Sequence, residues 1–539
     1  MQTFDYVIVG AGSAGCVLAN RLSEDGTHTV CLIEAGPPDA SPLIHVPLGI
    51  LPLMKHRTYN WCFNSVPQAH AAGRQVYTPR GRTLGGSSAI NGMVYLRGHR
   101  LDYDDWAAAG NPGWSYREVL PYFNRSETNA QHGAPYHGTR GPLRVGDVES
   151  YSPLVDMMFE AAISAGWRVN LDMNGEEQDG FGKRQATIWR GRRQSTAVAF
   201  LKPAMQRKNL TVLTDCLADA LSFEGRRASG VVVLQSGSRR SIVAKREVVL
   251  AGGAIGSPLM LMRSGIGNPE DLSRFGIPLL HALPGVGGNV QDHYTCLINH
   301  ASDSSLPYGL SLSRVPWGAL QVLKYALFRT GIFANNVGHA CGYVRSRPEL
   351  DRPDLLFALY PYNRTPANPA GKGQGYSIIP ILMRPKARGR IGLTAPGADA
   401  APMIDPAYWS EPEDLDLMVT AMKLGRRLLA QKAWDPVRGP EILPGPAVHD
   451  DAALANYVRR SSGTAYHLCG SCGMGPDPRS AVVDAQLRVH GIEGLRVADA
   501  SIMPTVPGGN TNAPAIMIGE KAADLILGKS PLAAAQLPS

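Results

Sequence analysis

One histidine and two cysteines lie within six residues of one another near the C-terminal end of the chain, and each could do chemistry. The stretch is YHLCGSCGMG, residues 466–475, in which His467 precedes the C-x-x-C pair of Cys469 and Cys472. A neutral imidazole can act as a general base near pH 7, whereas paired thiols can form a redox centre or bind a metal ion. The residue types alone therefore allow three kinds of site.

The residues around the two cysteines argue against thiol and metal chemistry. A redox-active C-x-x-C lies at the start of a helix in a small βαβ unit, but residues 473–478 are G-M-G-P-D-P, which predicts a loop. A structural zinc site needs four ligands, and the chain has no second C-x-x-C and no H-x-H pair. We therefore expect no metal site, and from the residues alone His467 could be either structural or catalytic.

The elements that would position His467 begin at the N-terminus, where the sequence predicts a dinucleotide-binding turn. A short apolar strand, residues 6–9, leads into G-x-G-x-x-G at Gly10, Gly12 and Gly15, and helical apolar spacing follows. Gly10 permits the tight turn, Gly12 lets the backbone approach a pyrophosphate, and Gly15 lets helix and strand pack closely. The N–H groups and positive dipole of the helix N-terminus favour phosphate at this place.

An acidic residue completes this unit. A second apolar strand, residues 30–33, ends at Glu34, nineteen residues after Gly15. An acid at this spacing can accept hydrogen bonds from ribose hydroxyls and repels a 2′-phosphate. Strand, glycines, helix, strand and acid in this order are far more specific than the glycines alone.

Two further glycine-rich segments favour one long cofactor over two separate ones. Residues 81–98 contain a double glycine, a double serine and Asn91 with little charge, and would supply a second backbone surface along an extended ligand. Residues 247–267 predict a buried strand, a double glycine and a helix, but their pattern is G-G-x-x-G. No strand ending in an acid follows at the distance that a second dinucleotide site requires. The sequence therefore favours one dinucleotide, and not an FAD together with an NAD.

Composition narrows the class of protein further. The chain has 539 residues, enough for about two to four domains. Its formal charge of +8 comes from scattered basic residues, so we expect a solvated surface and no nucleic-acid partner. The eight cysteines show no disulfide pattern, the N-terminus has no signal-peptide features, and no run of eighteen apolar residues occurs. These features are typical of a protein of the reducing cytoplasm.

Five segments, in order along the chain, resemble the glucose–methanol–choline (GMC) oxidoreductases, a family of FAD-dependent enzymes that oxidise alcohols. The likeness covers nearly the whole chain, and choline dehydrogenases and the medium-chain alcohol dehydrogenases of bacterial alkane oxidation have the most similar patterns. The matching segments are residues 81–98, 253–267, 284–293, 466–475 and 495–527.

The resemblance implies an α/β fold: a Rossmann-like FAD-binding domain and a discontinuous α+β substrate-binding domain with an antiparallel sheet and helices. Independently of the resemblance, apolar periodicity predicts an amphipathic helix over residues 414–431, and the proline-rich residues 364–373 predict a loop. The expected boundaries are residues 1–150, 195–300 and 476–539 for the FAD-binding domain, and residues 151–194 and 301–475 for the substrate-binding domain.

The resemblance also implies the catalytic residues. His467 matches the family's catalytic histidine, and Asn510 in GGNTNAP matches its partner position, which is histidine or asparagine in this family. His467 would take the hydroxyl proton while a hydride passes from the same carbon to flavin N5. Protonated His467 and the Asn510 amide would stabilise the developing alkoxide. Asn512, the expected N-cap of a helix with Pro514 in its first turn, would direct the helix dipole at the reduced flavin.

The flavin is expected to be bound without a covalent link. Some family members attach it to a histidine directly before the signature asparagine, and Ile90 occupies that position before Asn91 here. The residues implied to bind FAD are Gly10, Gly12, Ser13, Gly15, Glu34, Ala35, Arg82, Thr83, Gly86, Ser87, Asn91, Met93, Val94, Ala218, Asp499, Ala500, Asn510, Thr511 and Asn512.

The expected reaction is oxidation of a primary alcohol to an aldehyde, and two alternatives stay open. One is a choline-type dehydrogenase, although the sequence does not locate an anionic or aromatic cage for the cation. The other is a lyase of the same fold that binds FAD without net redox chemistry. Oxygen and a quinone both remain candidate electron acceptors, so oxidase and dehydrogenase are not distinguished.

Residues 310–336 raise the question of membrane contact. This stretch is rich in apolar and aromatic residues, contains Arg314, Lys324 and Arg329, and has no Asp or Glu. It could form a core helix with a loop, or a basic amphipathic stretch that rests on a membrane surface. Lipid contact would favour a quinone acceptor and a peripheral position on the inner face of the membrane; otherwise the protein would be cytoplasmic.

Overall fold

A computed structural model describes residues 2–310, 315–364 and 373–538. Within these residues the strands form two large sheets, one of seven strands and one of nine, together with several two-stranded sheets. The seven-stranded sheet mixes parallel and antiparallel pairs, whereas the pairs described in the nine-stranded sheet are antiparallel. The predicted α/β fold class with an additional antiparallel sheet is therefore confirmed.

The helices differ widely in length and burial. In chain order they are α1 Ser13–Leu22, α2 Pro42–His45, α3 Ile50–Leu53, α4 Arg100–Ala108, α5 Tyr116–Ser126, α6 Leu154–Ser164, α7 Lys202–Ala204, α8 Gly253–Arg263, α9 Pro269–Ser273, α10 Val315–Phe328, α11 Pro412–Leu429, α12 Asp451–Ser461 and α13 Asn512–Ile526.

Most of the strands are short. In chain order they are β1 Gln2–Val9, β2 Val30–Ile33, β3 Phe63–Asn64, β4 Tyr77–Thr78, β5 Glu127–Asn129, β6 Leu143–Val145, β7 Gly180–Lys183, β8 Ile188–Trp189, β9 Arg192–Arg193, β10 Leu210–Leu213, β11 Cys216–Glu224, β12 Arg227–Gln235, β13 Ser238–Leu250, β14 Ile266–Gly267, β15 His281–Ala282, β16 Tyr294–Thr295, β17 Ile298–Ala301, β18 Gly309–Leu310, β19 Ala340–Val344, β20 Leu355–Tyr360, β21 Gly373–Leu382, β22 Arg390–Gly392, β23 Met403–Asp405, β24 Glu441–Leu443, β25 Gly463–Thr464 and β26 Leu495–Val497.

The seven-stranded sheet is built around β1. This strand lies parallel between β2 and β13, and β10 extends the sheet in parallel beyond β2. On the side of β13 that faces away from β1, the first half of β13 pairs with antiparallel β12, and the last residues of β13 pair with parallel β26. Strand β11 lies beside β12 at the edge of the sheet. The two N-terminal strands expected from the sequence are thus neighbours, and their carboxyl ends share the edge where nucleotide ligands bind.

Two helices from opposite ends of the chain, α1 and α13, pack against each other beside this sheet. Gly519 permits their close approach, because a Cβ on it would lie 2.9 Å from the Ala14 carbonyl oxygen. Almost all of α13 is buried, including Glu520. Arg21 and Arg125 hold the Glu520 carboxylate at 2.9 and 2.7 Å. Burial of this charge is tolerated because both guanidinium groups pair with it.

The nine-stranded sheet has the path β24–β17–β21–β20–β19–β7, with β16 and β18 also paired to β21. Helix α11 packs on β21 through a buried apolar face that includes Leu415, Met418 and Met422. The amphipathic helix predicted over residues 414–431 is confirmed, with a start two residues earlier. Most of the predicted loop at residues 364–373 lies outside the described residues, and Gly373 is the first residue of β21.

Helix α10 lies on the surface with most of its apolar side chains exposed. Leu327 is 64 % and Phe328 71 % exposed, and Gln321 is the one buried residue among those described in the helix. The interpretation of this stretch as a core helix is therefore wrong, because the apolar residues surround the helix and only a narrow strip of it meets the protein. Arg314 lies outside the described residues. Among the described residues, none of the helices has the length and apolar character needed to cross a bilayer.

Candidate active site

The turn between β1 and α1 is as tight as its glycines predict. Gly10 has a φ of 105°, in the left-handed region that favours glycine. A Cβ on Gly15 would lie 1.9 Å from the Gly10 carbonyl oxygen, so glycine is needed for α1 to approach the strand. Gly12 is the N-cap residue of α1. The free N–H groups at the start of α1 are therefore available to an anionic ligand.

The glycines of residues 81–98 lie directly against this turn. The Gly85 N–H donates to the Ala11 carbonyl at 2.8 Å, and a Cβ on Gly86 would come within 2.7 Å of the Gly12 Cα. Two glycine-rich backbones thus meet with no side chain between them. A long, polar ligand can approach such a surface closely.

Glu34 lies at the end of β2 and its carboxylate is anchored to the same turn. Its two oxygens accept from the Ala11 N–H at 3.0 Å and from the Gly36 N–H at 2.9 Å. Burial raises the pKa of Glu34 to about 7, and the backbone donors only partly oppose this shift. A carboxylate oxygen has more than one acceptor site, so both can still accept from ribose hydroxyls.

A single cavity of about 940 Å³ joins this region to His467 and Asn510. That volume is near the upper end of the range of about 300–1,000 Å³ typical of small-molecule sites. The predicted site residues that line it are Gly10, Gly12, Ser13, Glu34, Ala35, Gly86, Ser87, Asn91, Met93, Val94, Ala218, His467, Asp499, Ala500, Asn510, Thr511 and Asn512.

Three predicted cofactor-binding residues lie outside the wall of this cavity. Gly15 is behind the turn, where it allows close packing. The Arg82 guanidinium stacks on Trp61 at 4.9 Å from the ring centre, and the buried Thr83 hydroxyl donates to the Pro37 carbonyl at 2.8 Å. Their side chains support neighbouring loops, and no contact with a ligand is evident from their positions.

The start of α13 differs in detail from the prediction. Asn512 is the first helical residue and not the N-cap, because Thr511 before it already has helical φ and ψ of −75° and −7°. The Asn512 Oδ1 instead accepts from the Ser13 hydroxyl at 2.7 Å. This bond joins the N-terminus of α13 to the N-terminus of α1, and both helix ends line the cavity.

Asp499 joins two segments at the wall of the cavity. Its carboxylate accepts from the Gly253 N–H at 2.8 Å, the Ser257 hydroxyl at 2.5 Å and the Ser501 N–H at 2.7 Å. The glycine-rich start of α8, which the sequence analysis distinguished from a second nucleotide motif, is thus fixed to the segment that follows β26. Ala500 completes this corner of the cavity.

His467 and Asn510 are in direct contact, with 3.0 Å between His467 Nε2 and Asn510 Nδ2. The backbone around His467 is fixed by Asp292, whose Oδ1 accepts from the His467 N–H at 2.8 Å. The Asp292 Oδ2 accepts from the Tyr408 hydroxyl at 2.7 Å and from the Thr464 hydroxyl. A fully buried carboxylate thus sets the course of the segment that presents the histidine.

A second histidine determines where the proton on His467 resides. His293 Nε2 lies 3.2 Å from the Met383 carbonyl, an acceptor, so Nε2 carries the hydrogen and Nδ1 of a neutral His293 is an acceptor. The His293 Nδ1 lies 2.9 Å from the His467 Nδ1. His467 must therefore donate from Nδ1, which leaves a lone pair on Nε2, the atom beside Asn510. This is the tautomer that a general base requires.

The environment of His467 keeps it neutral. Burial, followed by the nearby His293, Arg80 and Arg184, holds the pKa of His467 well below its usual 6.5. Burial likewise lowers the pKa of His293 to about 4. Both imidazoles are therefore unprotonated at neutral pH, as the tautomer assignment assumes.

The loop that carries Asn510 is held at several points. Its Gly508 N–H donates to Asp102 on α4 at 2.7 Å, and its Gly508 carbonyl accepts from Gln178 at 3.0 Å. The Val506 N–H donates to the Gln291 side chain at 3.1 Å. Gln291 adjoins Asp292 and His293 in sequence, so one segment positions both halves of the histidine–asparagine pair.

Cys469 and Cys472 lie in a loop, as predicted from the sequence, and are shielded from solvent. Both are fully buried, and burial raises the pKa of each thiol above its usual range. A thiol with a raised pKa is a poor nucleophile and a poor metal ligand. Among the described residues no group of three or more His, Cys, Asp or Glu has the geometry of a metal site.

Two functional residues, Asp292 and His293, were not identified from the sequence. They end the segment PGVGGNVQDH, residues 284–293, which was recognised only as a point of likeness. Their signal was an acid and a histidine side by side directly before the strand β16. Nothing in the sequence indicated that they would meet a histidine 174 residues further on.

The residues of the cavity fit FAD. Two glycine-rich backbones meet where side chains would block a pyrophosphate, and the free ends of α1 and α13 favour negative charge. Glu34 has acceptor capacity for ribose hydroxyls, and the cavity continues from this region to the neutral His467. Together the fold and the site define a flavin-dependent oxidoreductase.

Comparisons with known proteins identify the family. Residues 4–295 and 385–519 match the N-terminal and C-terminal profiles of the GMC oxidoreductases. The alcohol dehydrogenase [acceptor] of Pseudomonas putida is 43 % identical over 98 % of this chain and 97 % of its own length. The oxygen-dependent choline dehydrogenase of Chromohalobacter salexigens is 44 % identical over 98 % and 96 %. The chain belongs to the GMC oxidoreductase family, and it is an FAD-dependent enzyme that oxidises the CH–OH group of alcohols.

Solved structures agree with this assignment. Pyridoxine 4-oxidase from Mesorbium loti superposes with a TM-score of 0.89 at 32 % identity, covering 98 % of this chain and 99 % of that one. A variant of Aspergillus oryzae formate oxidase superposes with a TM-score of 0.91 at 26 % identity, covering 98 % of each chain.

Proposed function

We propose that this enzyme oxidises a primary alcohol to an aldehyde, with His467 as the general base. The single observation that supports this most strongly is the chain of contacts from the Met383 carbonyl through His293 to His467. It leaves the unprotonated Nε2 of His467 next to Asn510, on the wall of the cavity.

In the proposed reaction His467 Nε2 takes the hydroxyl proton of the alcohol. The resulting imidazolium donates from Nδ1 to His293 and from Nε2 to the substrate oxygen, so its charge is hydrogen-bonded on both sides. The Asn510 amide donates a second hydrogen bond to that oxygen, which stabilises the alkoxide as it forms. FAD, when bound, supplies the acceptor for the two electrons that leave the alcohol carbon.

We propose that FAD is bound without a covalent link. Ile90 is buried and occupies the position of the linking histidine of some relatives. Gly10, Gly12 and Gly86 would lie along the pyrophosphate, and Glu34 would accept from the ribose. Denaturation with acid should release free FAD into the supernatant. Flavin that remains with the precipitated protein would contradict a non-covalent site.

We also propose the domain division expected from the sequence. The FAD-binding domain would comprise residues 1–150, 195–300 and 476–539, and the substrate-binding domain residues 151–194 and 301–475. In support, one apolar core surrounds the seven-stranded sheet with α1 and α13, and a separate core lies between the nine-stranded sheet and α11. Strands β16 and β17, at the end of the range 195–300, pair with β21, so they would contribute to the sheet of the substrate-binding domain.

The proposed reaction is tested by anaerobic mixing of the enzyme with primary alcohols, aldehydes and choline while flavin absorbance is followed. We expect primary alcohols to bleach the flavin. Subsequent addition of oxygen or of a short-chain ubiquinone analogue then distinguishes an oxidase from a dehydrogenase. Failure of every alcohol to bleach the flavin would favour the lyase alternative.

A second proposal concerns the membrane: residues 310–336 rest on an anionic lipid bilayer and give the enzyme access to a quinone. Helix α10 exposes Leu323, Leu327 and Phe328. The exposed cations Lys324 and Arg329 flank these residues. The Tyr325 hydroxyl donates a hydrogen bond to the Gly191 carbonyl between β8 and β9, which brings the exposed Arg192 close to the helix. Apolar residues framed by cations suit an interface with anionic headgroups.

Sedimentation with vesicles tests this surface. Vesicles containing 30 mol % phosphatidylglycerol, roughly the charge density of an anionic membrane, should bind the enzyme, and neutral phosphatidylcholine vesicles should not. The double variant Leu327→Asp, Phe328→Asp should lose binding and keep its flavin. Ile163→Asp on α6, where the side chain is 61 % exposed, is the matched control. Equal sedimentation of all three proteins, or none by any, would refute membrane contact through α10.

A further inference from the structure

Among the described residues, four arginines line the same cavity as His467 and Asn510, and two of them, Arg184 and Arg364, are considered together because they approach the same tyrosine ring. Arg184 follows β7, and Arg364 lies in the segment between β20 and β21. Arg184 is close enough to His467 that its charge contributes to the lowered pKa of that histidine. Arg364 lies close enough to Tyr466, the neighbour of His467 in sequence, that this tyrosine helps to raise the pKa of Arg364. Both cations therefore lie on the part of the wall near the proposed base.

The two guanidinium groups converge on one ring, that of Tyr360. The Arg364 Cζ lies 5.3 Å from the ring centre. Arg184 approaches the ring at Gly338, where a Cβ would lie 2.5 Å from Arg184 Nη1 and 3.5 Å from Tyr360 Cζ. Gly338 thus leaves the space into which the Arg184 guanidinium extends.

Neither arginine has an anionic partner among the described residues. The groups around Arg184 are the Cys341 thiol and the Tyr343 and Tyr360 phenols, and those around Arg364 are phenols as well. None of these groups is a carboxylate. Arg184 is 5 % exposed and its Nε has no acceptor. Residues 311–314 and 365–372 contain no Asp or Glu that could supply one.

The carboxylates on the cavity wall do not balance these charges. Glu34 and Asp499 are bound to backbone N–H groups of the FAD-binding region, and Asp399 lies exposed near the start of β23. No further carboxylate lines the cavity in the described part of the chain. Burying a cation without a partner is costly, so a cavity lined by the buried Arg184 and the half-buried Arg364 favours a ligand that brings a negative charge.

We propose that the alcohol substrate carries a carboxylate, which Arg184 and Arg364 bind while the hydroxyl lies at His467 and Asn510. The substrate class is then a hydroxy acid with a primary alcohol. Choline and other cationic alcohols are disfavoured, because they would enter a cavity whose wall already holds Arg184 and Arg364 without anionic partners among the described residues. This inference rests on the proposed function and specifies its substrate.

Matched substrates test it: 4-(hydroxymethyl)benzoate, its methyl ester and choline. We expect kcat/KM to be about 10- to 100-fold higher for the acid than for the ester, the usual worth of a hydrogen bond to a charged group. Choline should be the poorest of the three. Arg184→Met and Arg364→Met should each remove most of the preference for the acid through KM, and Arg184→Lys should restore part of it.

Arg427→Met is the matched control, because the Arg427 guanidinium also stacks on an aromatic ring, Trp167, at 5.3 Å but does not line the cavity. This variant should keep the preference for the acid. A wild type that prefers the ester or choline, or a preference that survives both arginine substitutions, would overturn the inference.

Binding without turnover separates this inference from the proposed function. Benzoate should bind the wild-type holoenzyme in calorimetry and perturb the flavin spectrum, methyl benzoate should bind more weakly, and both methionine variants should bind benzoate about 10-fold or more weakly. If no alcohol reduces the flavin, the proposed function fails, and the benzoate titration still decides whether the two arginines form an anion site. Equal affinity of wild type and variants for benzoate would show that they do not.

Discussion

His293 and His467 face each other through their Nδ1 atoms, 2.9 Å apart, with their rings perpendicular. Only one hydrogen can occupy that contact. Since the Met383 carbonyl requires the hydrogen of His293 to be on Nε2, His467 supplies the one between them. When His467 becomes an imidazolium during turnover, His293 must remain neutral, and its pKa of about 4 satisfies that condition.

Replacement of His467 by alanine should leave FAD binding intact and slow flavin reduction by about 10²- to 10⁴-fold, the usual contribution of a positioned general base. Asn510→Ala should cost about 10²- to 10³-fold, as expected for one donor to an oxyanion. The double variant should lose less than the product of both losses, because the residues act as a unit. Anaerobic stopped-flow reduction is the measurement. A wild-type rate in His467→Ala would mean that another residue is the base.

His293→Phe removes the acceptor for the His467 Nδ1–H while keeping a ring of similar size. His467 can then adopt the other tautomer, with its hydrogen on Nε2, and we expect flavin reduction to fall by about 10²-fold. His293→Asn can restore an acceptor and should recover part of the rate. The bound flavin content checks the fold. Equal losses in both variants, without a change in the pH profile, would indicate a packing role for His293.

The pH dependence of flavin reduction follows from the lowered pKa of His467. The neutral form is active, so the rate is lost as pH falls through that pKa. Because the pKa lies below 6.5, the rate should be constant from about pH 6.5 to 9 and should decline only at lower pH. Arg184→Met removes a nearby cation and should move the acid limb to higher pH. An unmoved limb would mean that Arg184 does not act on His467.

FAD binding to the apoprotein should depend on pH through Glu34. In the folded protein the pKa of Glu34 is about 7, above its usual value of 4.5. Between these two pH values the folded apoprotein therefore binds more protons than the unfolded chain, so its stability decreases as the pH rises. Ribose hydroxyls favour the ionised carboxylate, so FAD affinity should rise by up to about tenfold per pH unit toward pH 7. Flavin fluorescence titrations from pH 5.5 to 8.5 measure this. In Glu34→Gln the affinity should be lower and independent of pH.

Cys469→Ser with Cys472→Ser should keep turnover within a few fold, and the native thiols should react with a thiol reagent only after unfolding. Their complete burial and raised pKa values are the reason. Turnover and thiol titration in native and denaturing buffer are the two measurements. Stoichiometric zinc in the wild type would revive the metal interpretation.

The sequence was sufficient where chemistry and spacing are local. The turn from Gly10 to Gly15 and the acid Glu34 have steric and hydrogen-bonding reasons that operate within one βαβ unit, and the structure has the same elements in the same order. The α11 helix was likewise predictable, because its apolar period is a property of eighteen consecutive residues.

Relationships between distant segments could not be predicted in this way. The tautomer of His467 depends on His293 and on the Met383 carbonyl, and these three residues come from three separate parts of the chain. The exposure of α10 could not be predicted from the sequence either, because an apolar helix without acidic residues can have the same composition in a core as on a surface. Asn512 has the residue type of an N-cap, but Thr511 before it already has a helical backbone, and the Asn512 side chain accepts a hydrogen bond from the Ser13 hydroxyl instead.

The hydrogen bond between Ser13 and Asn512 joins residues 499 positions apart, and β26 completes the central sheet only at residues 495–497. When the ribosome has made most of this protein, the helix α13, whose N-terminus lines the cavity, has therefore not yet been made. Assembly of the complete cofactor site must therefore follow synthesis of α13, and the N-terminal βαβ unit must persist until then without the helix that covers it. A protein truncated before α13 would accumulate as colourless apoprotein with the apolar face of α1 uncovered, a state that favours aggregation.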